Sequence, residues 1–107
     1  MDNPSDPVPN PEVVSRAIVL WTGWGDYSRP DRDGRRIIEN FGPDEGGRLL
    51  GLLKLLEDEF YSSDARHTVA GTAEMGDKAA ADFRRIHPEL DEQAVEALAW
   101  CYSFDYK

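Results

Sequence analysis

The chain has 107 residues, with 21 acidic side chains against 12 basic ones and a formal net charge of −9. That length supports one domain rather than two, and the 40% hydrophobic content is enough for a packed core. An isoelectric point near 4.5 argues against direct nucleic-acid binding, which needs clustered Lys and Arg to displace counterions, and against an anionic membrane surface.

Residues 1–10 carry Pro4, Pro7 and Pro9 with almost nothing apolar to bury, and are expected to form a disordered tail ahead of a single helical domain over 11–107. The N-terminus has no basic or apolar region of the secretory kind, so the protein is expected in the cytoplasm. Asn10-Pro11-Glu12 reads as a helix cap, a first-position proline and an early acid. The helix that follows places Val14, Ala17, Ile18 and Trp21 on one stripe and ends at Gly23 and Gly25. Trp24 to Gly34 is dense in turn formers and predicts a loop. A short helix from about Arg32 to Phe41 would bury Ile37, Ile38 and Phe41, and Gly42-Pro43 stops it.

The next helix, Pro43 to Tyr61, carries Leu49, Leu50, Leu52, Leu53, Leu55 and Leu56 around most of its circumference, which predicts the central helix of the fold. Gly51 would permit a close helix approach there. Residues 62–72 read as a polar connection. A further helix over Ala73–Ile86 has Glu74–Lys78 and Lys78–Asp82 at ion-pair spacing and Ala79, Phe83 and Ile86 on its buried side. His87-Pro88 ends it, with His87 placed to meet the last carbonyls. The last helix opens at Asp91 and carries Ala94, Val95, Leu98, Ala99 and Tyr102 to Ser103 or beyond. No stretch alternates with period two. The expected fold is all-α, a compact single domain of four to five helices around the Leu-rich one.

Candidate chemistry is sparse. Asp31-Arg32-Asp33-Gly34 echoes a calcium loop, but Arg29 and Asn40 fall where carboxylate ligands are required, so a solvated turn is the better reading. Arg32, Arg35 and Arg36 are interspersed with Asp31, Asp33 and Glu39 and read as surface pairs rather than a phosphate site. Cys101, the only cysteine, lies among Trp100, Tyr102 and Phe104, where a thiol packs as a small apolar group. Neither it nor His67 and His87 make a convincing nucleophile and base. The reading is a non-enzyme with no catalytic residues, no metal ligands and no cofactor.

The informative signal is how charge is distributed. Residues 1–56 hold nine acids and seven bases, whereas residues 57–107 hold twelve acids and five. Asp91 and Glu92 complement a helix dipole, but Asp58, Glu59, Glu89 and Glu96 exceed what capping requires. Such a field speeds docking of a cationic partner. Trp21 and Trp100 are expected in the core, while Trp24, Tyr27 and Tyr106 are better suited to a contact surface. The expected partner-binding set is therefore Asp58, Glu59, Glu89, Asp91, Glu92 and Glu96 with Trp24, Tyr27 and Tyr106.

A small acidic single domain ending in FRRIHPELDEQAVEALAWCYSFDYK, residues 83–107, resembles the bacterial immunity proteins of polymorphic and contact-dependent growth-inhibition toxin systems. The resemblance covers about a quarter of the chain. It implies a tight, non-catalytic inhibitor of a cognate toxin domain, and a nuclease is the natural target because such domains are basic. The alternative is an adaptor or regulatory subunit of a cytosolic complex that docks through exposed aromatics.

Overall fold

The computed structural model describes residues 8–68 and 71–106, and among them every regular element is a helix. In chain order these are α1 (Pro11–Thr22), α2 (Gly34–Phe41), α3 (Pro43–Tyr61), the single turn α4 (Ala65–Thr68), α5 (Thr72–Ile86) and α6 (Glu92–Asp105). A radius of gyration of 13.3 Å is close to the ~13 Å expected of a folded chain of about 100 residues.

Local chemistry accounts for most boundaries. Asn10 sits at the start of α1 in the left-handed region, φ 49°, which asparagine tolerates; its carbonyl accepts from Val14 N–H at 3.1 Å, but its side chain does not cap. Gly23, at φ 79°, closes the other end with its N–H on the Val19 carbonyl. Asp33, which the calcium-loop motif had singled out, is the N-cap of α2, its carboxylate accepting from Arg35 N–H at 3.0 Å. Asp91 caps α6 by accepting from Ala94 N–H at 2.9 Å.

The stripe Val14, Ala17, Ile18 and Trp21 is buried as its spacing requires. On α3 only Leu49, Leu53 and Leu56 of the six leucines are buried, with Phe60 completing that face, and Leu55 is 50% exposed. As expected of a central helix, α3 packs on α1, α2, α5 and α6. α3 shares the centre with α6, which packs on α1, α3 and α5 and buries Ala94, Val95, Ala97, Leu98, Cys101 and Tyr102. The small alanines let three helices approach α6 at once, which a hydropathy stripe alone does not reveal.

Some expectations fail for identifiable reasons. Gly51 has open space where a Cβ would be; the close approach is at Gly46, where a Cβ would lie 3.0 Å from Ile38 Cα. Ile86 is exposed, and although the expected Lys78–Asp82 pair forms at 3.1 Å, Lys78 takes Asp64 at 3.0 Å in place of Glu74. Most of the expected tail, residues 1–7, lies outside the described residues. Val8 does not behave as a tail: it is buried and donates its N–H to Glu89 Oε2 at 2.7 Å.

Candidate functional site

The loop between α1 and α2 is held from below by one side chain. Arg36 donates from Nε to the Leu20 carbonyl and from Nη2 to the Trp21 carbonyl, each at 2.8 Å, and reaches the Asp31 carbonyl as well. Its guanidinium also lies over the Tyr27 ring, 5.0 Å from the centroid. Tyr27 in turn covers Gly23, where a Cβ would come within 2.2 Å of the ring. With Gly23 and Gly25 both in the left-handed region, this fixes the path of Trp24 between them.

Trp24 thereby forms one wall of a cleft of about 280 Å³ against the α5–α6 hairpin. The other lining residues are Ala73, Gly76 and Asp77 on α5 and Glu96, Ala99, Trp100 and Ser103 on α6. The α6 set has spacings of three and four, so those side chains share a face. Gly76 allows the hairpin to close, because a Cβ there would meet Ser103 Oγ at 2.3 Å. Both indoles are half-buried, and both carboxylates are exposed.

Arg84 lies beside these acids. It donates to Glu92 through Nε at 3.1 Å and through Nη2, while Glu96 stands 3.7 Å away. Asp77 acts on the same guanidinium through space, and together these acids hold Arg84 above its ordinary range against a smaller effect of burial. Asp77, Glu92 and Glu96 therefore confront one arginine, leaving an excess of two negative charges beside two tryptophans.

Of the residues expected to bind a partner, Trp24 and Glu96 line this cleft, and Glu92 adjoins it through Arg84. Asp58 is exposed and makes no ion pair among the described residues. Asp91 is occupied as a helix cap. Tyr27 is 51% exposed but serves the loop, and Tyr106 packs on Tyr61 and Tyr102 at centroid distances of 5.7 and 4.9 Å. Trp100, expected in the core, is only half-buried, and with Asp77 it was missed. The usable signal for Trp100 was its i, i+4 relation to Glu96.

Glu59 and Glu89 turn inward. His87 is fully buried, its Nε2 bonded to Glu59 Oε1 and its Nδ1 to Glu89 Oε2 at 2.9 Å. Burial opposes charging the ring, but the bonds to Glu89 and Glu59 outweigh it and raise the imidazole above its ordinary value. Glu89, despite its own burial, is lowered by the Val8 N–H and by His87. The His87 ring thus joins the N-terminal segment to α3, while its backbone N–H closes α5 on the Phe83 carbonyl at 2.9 Å.

A second polar knot surrounds Arg32. Its Nε lies 3.0 Å from Glu57 Oε2, a charge contact without an aligned hydrogen bond, and its Nη2 lies 3.3 Å from Asp105. Asp105 also accepts from Tyr61 Oη at 2.5 Å. Burial raises the Glu57 carboxyl, which Arg32 only partly offsets. Burial likewise pushes the Cys101 thiol up to about 11, tempered by Arg32, so at neutral pH it stays protonated and a poor nucleophile.

Among the described residues, no group of three or more His, Cys, Asp or Glu side chains is placed to hold a metal ion, and no helix is long and apolar enough to cross a membrane. Comparison with protein-family models, curated proteins and solved structures found no match.

Proposed function

We propose that this protein is a small acidic binding protein of the bacterial immunity kind, which neutralises a cognate cationic toxin domain, a nuclease being the expected class, by tight non-catalytic association in the cytoplasm. The observation that carries the reading is the net negative charge left by Asp77 and Glu96, once Glu92 is paired with Arg84, in an open cleft walled by Trp24 and Trp100. Tryptophans anchor interfaces, and a focused acidic field steers a basic partner to them. A nuclease holds phosphates with Lys and Arg, so an acidic surface competes for the groove that nucleic acid would fill.

Two of the acids first considered for this face, Glu59 and Glu89, are committed to His87 and contribute little to an outward field. Asp58, Glu92 and Glu96 remain exposed. Changing these three to lysine should weaken binding to the proposed basic toxin domain while leaving the helical circular-dichroism signal intact. Unchanged affinity in that variant would remove the acidic face from the reading. The competing reading, an adaptor docking through aromatics, draws on the 38% exposure of Tyr106. It entails binding that is indifferent to salt and lost in Tyr106→Ala, which spares the buried Tyr102.

A further inference from the structure

We propose that the Trp24–Trp100 cleft is a socket for a single arginine side chain of the partner protein, with the indoles offering stacking faces and Asp77 and Glu96 the countercharge. The inference rests on the binding reading above for the partner's identity, and on the cleft's own chemistry for the occupant. Small-molecule sites begin at about 300 Å³ and enclose most of their ligand. A cleft of about 280 Å³ is near that lower bound, but it is open to solvent and would enclose little of a free ligand, which suits one long side chain entering from a docked surface.

Charge and shape favour a guanidinium. The lining offers two carboxylates, two indoles, the small residues Ala73, Gly76 and Ala99, and Ser103. A planar, weakly hydrated cation stacks on an indole and presents several donors to flanking carboxylates, whereas an ammonium is a compact, strongly hydrated point charge. Beside the cleft, Arg84 binds Glu92 through two nitrogens and stands 3.7 Å from Glu96. Its charge does not satisfy the three acids around it, so a second guanidinium on the Asp77 side completes the balance. The walls are preset: the Arg36 bonds and the glycines around Trp24 hold one, and the close packing at Gly76 sets the spacing of the hairpin. Binding then costs little ordering of the site itself.

The test needs no toxin. Full-length protein labelled with nitrogen-15 is titrated with acetyl-Gly-Arg-Gly-amide at low ionic strength while the indole N–H signals of its three tryptophans are followed. The Trp24 and Trp100 signals are expected to move together, and that of the buried Trp21 to stay. The peptide with citrulline in place of arginine should bind roughly tenfold more weakly, as should arginine peptide to a variant carrying Asp77→Asn and Glu96→Gln. Both substitutions are at exposed positions, and an unchanged far-ultraviolet spectrum confirms the fold. Equal shifts with citrulline or with a leucine peptide would overturn the arginine assignment, as would no movement of either cleft indole. Toxin neutralisation without these shifts would defeat the socket alone. The shifts without any toxin neutralisation would defeat the immunity reading alone.

Discussion

A histidine whose two ring nitrogens both meet carboxylates is stabilised as the imidazolium, able to donate on each side. His87 is in that position between Glu59 and Glu89, and its raised imidazole and the lowered Glu89 carboxyl set a definite pH window. The His87 contribution is complete below the ordinary imidazole value of 6.5 and is lost as pH rises through the raised folded value. The Glu89 contribution is present above the ordinary carboxylate value of 4.5 and is lost as pH falls through the lowered one. Thermal stability should therefore be highest in mildly acidic buffer and decline on the alkaline side. In His87→Gln that alkaline decline should largely vanish, with a cost of about 2–3 kcal/mol at the optimum in urea titrations. A variant with the wild-type pH slope would show that the ring carries no charge in the fold. Arg32→Gln is expected to cost about 1–3 kcal/mol, because it leaves the half-buried Glu57 without its nearest cation.

At the level of helices, Gly46 and Gly51, two of the three glycines of α3, should respond in opposite directions. Gly51→Ala meets nothing within 4 Å, so it should add about 0.5–1 kcal/mol through helix propensity and a less disordered unfolded state. Gly46→Ala would push a Cβ to 3.0 Å from Ile38 Cα, where backbone must move, and should cost about 1–3 kcal/mol. Denaturation of the two variants side by side checks both signs. The starts of α1, α3 and α6 were legible because Pro11, Pro43 and the cap Asp91 act within one turn of their own positions, whereas the α2 cap, Asp33, falls inside the helix expected from Arg32. The partners of each face were not, since periodicity orients a helix without saying what lies opposite. Leu55 and Ile86 point outward despite their chemistry. The contacts that join distant parts, Val8 to Glu89, Ser15 to Asp91 and Arg32 to Asp105, span 81, 76 and 73 residues. The candidate cleft was half visible for the same reason: Trp24 and Glu96 stood out, whereas their meeting with Asp77 and Trp100 depends on how α5, α6 and the first loop pack.

For the whole molecule, a charge of −9 sets how it meets other molecules more than how it folds. Association with a basic toxin domain should slow steeply as salt is added, because the Debye length contracts from roughly 10 Å at 0.1 M to about 3 Å at 1 M ionic strength. The dissociation rate should depend far less on salt, being set by the aromatic contacts. The most direct measurement is bacterial growth when the C-terminal domain of the protein encoded immediately upstream is expressed with and without this chain. An immunity protein requires that the domain arrest growth alone and that this chain restore it. A domain that is harmless by itself, or that kills equally well in the presence of this chain, would contradict the proposed function.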